Sequence, residues 1–366
     1  MVYKVIGLMS GSSLDGLDIA FVQLDEVRGQ WSYEILHAEC MPYTAEWAQQ
    51  LQNASKLSVP EYLRLHTAYG RYTGELVNQF IQDKGIEHQV HFIASHGHTV
   101  LHEPAQHTTA QIGCGATIAA LTGLPVINDL RALDVALGGQ GAPIVPIGDK
   151  LLFGQYDYWL NIGGIANITV PHNDGLLAYD LCAANQVLNT LAGKAGKHMD
   201  TNGGMAAEGK LLQDVLASLS SQEYYQRTAP KSLSNETAMS LVSPSLLEVA
   251  YDVPDALHTA VQHIADEVSK AVQLYPVLGK EQPTLLITGG GAFNGFLVQR
   301  ITEALVPLNV SVHIPDETTI KYKEALVMAL IGTLRWREET NVMSRVTGAS
   351  RDSIGGALWM GHSYNG

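Results

Sequence analysis

An apolar run at positions 5–9, a glycine-, serine- and aspartate-rich stretch at 11–16 and a second apolar run at 19–24 open the chain. Runs of strand length parted by turn residues predict a strand–turn–strand hairpin with a polar tip. From position 47 to about 84, Leu51, Leu57, Tyr62, Leu65, Leu76, Val77, Phe80 and Ile81 recur at helical spacing and predict a helical region. VHFIAS predicts a short strand leading to His96, 116–121 a helix, and PVIND another strand. The glycine-rich GGQGAP (138–143) then reads as a hinge.

The second half repeats the plan. DYWLNIGGIANITVP (157–171) is again strand, glycine turn, strand; LLAYD predicts a third strand ending on Asp180, with a helix starting near Ala184. TLLITGGGAFNGFLVQRITEAL (284–305) is a buried strand, a triple-glycine turn and a helix presenting Phe296, Leu297 and Ile301 on one face. Two halves that open alike suggest a duplicated α/β unit.

With 366 residues, 46% of them hydrophobic, the chain can bury two cores. A formal charge of −14 repels phosphate backbones and excludes nucleic acid as an expected partner. Cys40, Cys114 and Cys182 are too scattered for a metal clip or a disulfide framework, which suits a reducing cytoplasm. No secretory leader or membrane span is expected either.

The chemistry lies in the turns. Gly11, Ser12, Ser13, Asp15 and Gly16 can point backbone N–H groups and hydroxyls at phosphate oxygens, and Asp15 and Asp18 can hold Mg²⁺ or its water shell. Alone, an ordinary hairpin tip explains the same residues. Asn161, Gly163, Gly164 and Asn167, then Gly289, Gly290, Gly291 and Asn294, supply two more such turns, each after a strand, which together favour a polyphosphate cradle. The P-loop-like GMAAEGK (204–210) is followed by Leu211 rather than Ser or Thr and lacks a preceding apolar strand, so it is discarded.

These segments carry a resemblance. GLMSGSSLDGLD (7–18), SHGHTVLHEP (95–104), NDLRALDVALGGQGAPIVP (128–146), NIGGIANIT (161–169), TGGGAFN (288–294) and VTGASRDSIGGALW (346–359) are similar, in order and spacing, to the anhydro-N-acetylmuramic acid kinase family. The resemblance implies a two-domain actin-like ATPase (sugar kinase/Hsp70/actin) fold with an interdomain nucleotide cleft. Its domains would be 1–128 plus 338–366 and 129–337. It implies ATP and Mg²⁺ as cofactors, an amino sugar as substrate, a cytoplasmic homodimer, and ATP-driven hydrolytic opening of the anhydro ring with phosphorylation of O6 in peptidoglycan recycling.

Residue by residue, it implies nucleotide contacts from Gly11, Ser12, Ser13, Asp15, Gly16 and Asp18 and from the two later turns, and a catalytic base at Asp180. Without the resemblance, Asp180 reads equally well as a helix N-cap. His96, His98, Arg131, Asp134, Asn185 and Glu324 are the substrate-binding candidates. The guanidinium of Arg131 suits a carboxylate, whereas Glu324 by itself reads as a favourable charge near a helix start. His96, His98, His102 and His107 lack the acidic or thiolate partners of a zinc site. The chain departs from the family's Gly-Pro-Gly-Asn turn after the base, carrying Leu181-Cys182-Ala183-Ala184-Asn185, and has His98 where Gln is usual. A non-catalytic sensor of the same fold, or a kinase for another amino sugar, is the competing reading.

Overall fold

The structure is a computed structural model that describes residues 1–11, 13–173 and 175–361. It divides into two compact units, Met1–Phe153 with Tyr322–Gly366, and Gly154–Lys321. In unit 1 the elements are β1 (Val2–Ser10), β2 (Gly16–Val27), β3 (Gln30–Pro42), α1 (Ala45–Gln52), α2 (Val59–Lys84), β4 (Phe92–Ser95), β5 (His98–Glu103), β6 (Thr108–Ile112), α3 (Gly115–Thr122), β7 (Val126–Asn128), α4 (Ala132–Ala136) and α5 (Pro146–Leu152). Unit 2 carries β8 (Tyr158–Ile162), β9 (Ile165–His172), β10 (Gly175–Ala183), α6 (Asn185–Lys194), α7 (Gly204–Glu208), α8 (Gln213–Ser220), α9 (Glu223–Gln226), α10 (Asn235–Val242), α11 (Val253–Leu274), β11 (Thr284–Thr288), α12 (Gly295–Leu305) and β12 (Ser311–His313). Helix α13 (Glu317–Trp336) returns the chain to unit 1, which ends with α14 (Ser344–Thr347) and β13 (Ala357–Trp359).

Beside a two-stranded sheet of β5 and β6, each unit has one main sheet, and the two main sheets are built alike. In unit 1 the order is β13-β7-β4-β1-β2-β3, with β1, β2 and β3 an antiparallel meander and β4 and β7 returning parallel beside β1. Unit 2 has β10-β9-β8-β11-β12, with the same antiparallel meander and parallel return. This repeated mixed sheet fits the two-unit α/β plan expected from the sequence, and it explains why each half opens with a strand–glycine turn–strand: that hairpin is the first two strands of each meander.

Strand β1 is central, so Val5, Ile6 and Leu8 are fully buried, each worth about 1.5–3 kcal/mol. Helix α13 approaches this strand closely because Gly7 lacks a side chain; a Cβ there would lie 1.9 Å from the Ala325 carbonyl oxygen. In unit 2, α11 supplies Leu257, Val261, Ile264 and Val268 to a core shared with β8, β9 and β10. No helix among the described residues is long and apolar enough to cross a membrane.

The unit boundaries fall after Phe153 and before Tyr322, not at 128/129 and 337/338. The reason is the pinning of residues 129–153. Asp134 accepts hydrogen bonds from Gly141 N (2.7 Å) and from Thr347 Oγ1 (2.7 Å), Gln140 N donates to Thr347 O, and Asp149 pairs with Lys323 at 2.6 Å. The loop expected as a hinge is thus tied to the C-terminal segment of its own unit.

Candidate functional site

In unit 1 the β1–β2 turn is shaped by its own polar groups. Ser13 Oγ and Gly16 N both donate to Asp15 Oδ1 (2.6 and 3.1 Å), and Leu14 is held at φ +58°, a left-handed conformation that costs a non-glycine residue about 1–2 kcal/mol. Ser12 lies outside the described residues. Gly11 is not held in such a conformation: a Cβ there would meet nothing closer than Ser13 Oγ at 3.5 Å. The protein therefore has room for a side chain at Gly11, and leaves that room open.

Asp18 follows on β2, opposite Met9 and Cys40. Burial pushes its carboxyl up to about 6, with Asp15 and Glu324 adding to the rise against a lowering hydrogen bond from Cys40. Burial, then the charge of Asp18, pushes the Cys40 thiol up to about 12. Glu324 is itself raised by burial, opposed by Arg131 and Lys323. It sits within α13, two turns past the helix start at Glu317, so the expectation that it opens a helix is corrected. Three carboxylates thus gather within electrostatic reach. Among the described residues no three His, Cys, Asp or Glu side chains form a complete metal cage.

The substrate candidates of unit 1 separate into two kinds. His96 is buried; Arg131 Nε donates to its Nε2 (2.8 Å), so its Nδ1–H donates to Gly97 O (2.9 Å). Burial, followed by the Arg131 charge, drives its pKa down to about 3, and the ring is neutral. Arg131 also donates from Nη1 to Gly141 O at 2.5 Å, and burial lowers its own pKa to about 10. Arg131 is held by His96 and the Gly141 carbonyl rather than by a surface ion pair. Asp134 is 1% exposed with both oxygens engaged as described above, so it holds the 138–143 loop rather than facing a ligand.

His98 ends a hydrogen-bonded chain. Tyr43 Oη donates to Ser10 Oγ (2.7 Å), so Tyr69 Oη donates to Tyr43 (2.6 Å), and Ser10 Oγ bonds His98 Nδ1 (2.9 Å) in the direction that the His98 tautomer sets. Histidine here offers one N–H donor, as the amide of a Gln would, and burial keeps it neutral.

Unit 2 places its candidates in a row. Asn161 on β8, Asn167 on β9 and Asp180 on β10 are register partners, so their side chains share one sheet face, and all three are half-buried where their flanks are buried. Asp180 is not at the end of its strand. It lies at a bulge in β10, which continues to Ala183, and α6 begins at Asn185 with Ala184 as its cap. The N-cap reading of Asp180 is thereby excluded. Burial raises its carboxyl, against one lowering bond from Leu233 N to Oδ2 (2.8 Å); Oδ1 meets no donor among the described residues.

The atypical segment after Asp180 is not an exposed turn. Leu181, Cys182, Ala183 and Ala184 are all buried in the unit 2 core. The amides of Ala184, Asn185 and Gln186 donate to the carbonyls of Gly164, Gly163 and Gly164, clamping the glycine turn against the start of α6. Asn185 Nδ2 donates to Ile162 O (3.0 Å), so this substrate candidate also braces the turn. Side chains that fill the core replace the backbone freedom that glycines give.

The glycines of the two later turns divide by cause. Gly289 takes φ +79° and would press a Cβ onto Asn161 and Ile162, and Gly291 would strike Ile162; their absence of a side chain is structural. Gly163 and Gly164 are open, with nothing closer than 3.6 Å, and Gly290 meets only Asn185 Nδ2 at 3.4 Å. Asn294 caps α12, accepting from Leu297 N at 3.0 Å, which accounts for it without a nucleotide. The structure also adds Tyr224, Lys231 and Leu233, which no local pattern marked, beside Asp180.

A family model described as anhydro-N-acetylmuramic acid kinase matches residues 3–361. The chain is similar to the anhydro-N-acetylmuramic acid kinase of Idiomarina loihiensis, at 31% identity over 98% of this chain and 99% of that one. It is likewise similar to the protein of that name in Coxiella burnetii, at 31% over 99% of both, and in Gloeobacter violaceus, at 32% over 94% and 96%. Matched by that family's model over residues 3–361 and by its members at 31–32% identity over nearly the whole length, the chain belongs to the anhydro-N-acetylmuramic acid kinase family.

Proposed function

We propose that this kinase opens 1,6-anhydro-N-acetylmuramic acid with water and phosphorylates its O6 from ATP, in the cytoplasm and as a homodimer. The observation that carries the reading is Asp180: a half-buried carboxylate of raised pKa, with one oxygen anchored and the other free. As base it takes a proton from water while the water oxygen bonds to the anomeric carbon. The bond from that carbon to O6 breaks, and O6 takes the γ-phosphoryl group as ADP leaves. A raised pKa makes the carboxylate a stronger base as long as it remains ionised at the working pH.

The residues fit a nucleotide and a cation. Gly11, Gly163, Gly164 and Gly290 leave open the space a Cβ would fill, which is what close approach of phosphate oxygens requires. Asp15 and Asp18 would hold Mg²⁺ through one or two carboxylates, leaving phosphate oxygens and waters to complete its shell. The ion would neutralise phosphate charge, and the Asp15 and Glu324 charges that add to the burial-driven rise at Asp18 would favour its binding. With both His96 nitrogens engaged, that ring would hold Arg131 toward the sugar's carboxylate, His98 would hydrogen-bond a sugar hydroxyl, and Glu324 would accept from a hydroxyl.

Two measurements test this. ADP release should follow addition of 1,6-anhydro-N-acetylmuramic acid and not of N-acetylglucosamine or N-acetylmuramic acid. Release with either of those alone would mean a different sugar, and release with none would mean a sensor. Gly11→Val should leave the melting temperature near parental, because the site has room, and weaken Mg-ATP binding about tenfold or more in calorimetry. Unchanged affinity in the folded variant would remove the first turn from the phosphate site.

A further inference from the structure

Strand β10 is the edge of the unit 2 sheet, so at Asp180 its outward backbone groups need partners from outside the sheet. One short segment supplies them. Tyr224 Oη donates to the Asp180 carbonyl (2.8 Å), Asp180 N donates to Lys231 O (3.1 Å), and Leu233 N donates to Asp180 Oδ2 (2.8 Å). The segment is locked on itself, because Lys231 Nζ donates to Tyr224 O (3.1 Å) and sits 4.6 Å from the Tyr224 ring centre. It is also locked to the core: Tyr224, Tyr225 and Leu233 are buried, and Tyr225 packs edge-on against His263 of α11.

We propose that residues 224–233 form a clasp that positions Asp180 for the kinase reaction, with Tyr224 and the Leu233 amide as its positioning groups. The inference rests on the reading of Asp180 as the base. Three bonds on one residue fix both its peptide and one carboxylate oxygen, leaving Oδ1 directed for proton transfer; a misplaced base is a slow base.

The charged and titratable groups that face Asp180 or the groups packed against it come from three elements. Lys231, Arg227 and Tyr224 belong to the clasp and its approach, Cys182 and Tyr179 to β10, and Glu267, paired with Lys270 at 2.7 Å, to α11. Burial holds the Cys182 thiol and the Tyr224 and Tyr179 hydroxyls well above their ordinary values, hence neutral. Burial lowers Lys231, with Glu267 opposing. The Leu233 amide is the group that favours ionised Asp180 directly.

The test uses two variants of the full chain beside Asp180→Asn. Tyr224→Phe removes one hydroxyl and should cut kcat about tenfold while leaving KM for ATP unchanged. Leu233→Pro removes the amide hydrogen and should move the acid limb of the kcat/KM profile up by about one pH unit, since the lost bond had lowered the Asp180 pKa. Parental kcat in folded Tyr224→Phe, or an unmoved limb in folded Leu233→Pro, overturns the clasp. If Leu233→Pro does not fold, the kcat-against-KM split in Tyr224→Phe decides. Parental kcat in Asp180→Asn would instead overturn the base assignment; its collapse together with a parental Tyr224→Phe would overturn the clasp alone.

Discussion

Asp180→Asn should lower turnover by about 10²–10⁴-fold, or roughly 3–5 kcal/mol of transition-state stabilisation. Asparagine preserves shape, and its amide oxygen can still accept from the Leu233 amide, but it cannot take a proton from water. Binding of Mg-ATP and of the sugar should change little, because the lost interaction develops only as the proton moves. Stability should also hold within about 1 kcal/mol, since Asp180 caps no helix and its backbone bonds to Tyr224 and Lys231 do not involve the side chain. Measuring kcat, ATP affinity and melting temperature together checks all three expectations. Near-parental kcat would refute the assignment of the base.

Asp149→Ala should destabilise the protein by about 3–5 kcal/mol. Its partner Lys323 is 4% exposed, and in the variant its ammonium would stay buried without this carboxylate, 5.2 Å from the Phe153 ring centre. Because the pair joins α5 to α13, the loss would loosen the helix that carries Glu324. Adding Lys323→Met to Asp149→Ala removes the stranded charge and should recover part of the stability, a non-additivity that urea titration of both variants reads directly. A cost below about 1 kcal/mol in the single variant would show that solvent reaches the lysine when the aspartate is gone.

Much of the architecture was legible because it rests on local rules. Apolar runs bounded by glycine and aspartate marked both meander openings, and the helical spacing of Val77, Phe80 and Ile81 marked the end of α2. Ordered motifs along the chain pointed to the family that the comparisons show. Strand β3 was missed because it is an edge strand, with mixed exposure along nearly its whole length and no clean alternation.

What local pattern leaves open is the partner of each polar side chain, because that partner comes from far along the chain. Asp134 and Arg131 lie three residues apart in one turn signal. The sheet brings Thr347 to the first, which is spent on structure, and His96 to the second, which keeps a guanidinium beside Glu324. Asn294 looked like a phosphate contact and became a helix cap once the chain turned into α12. Asp180 read as cap or base with equal ease. The start of α6 at Asn185 excluded the cap, and the 224–233 segment, which carries no periodicity or motif of its own, determined how the carboxylate is held. The sequence by itself determined the repeated units, the turns and the family; tertiary structure decided which of the candidate side chains remain free to act, because burial and hydrogen bonding are settled only when distant segments meet.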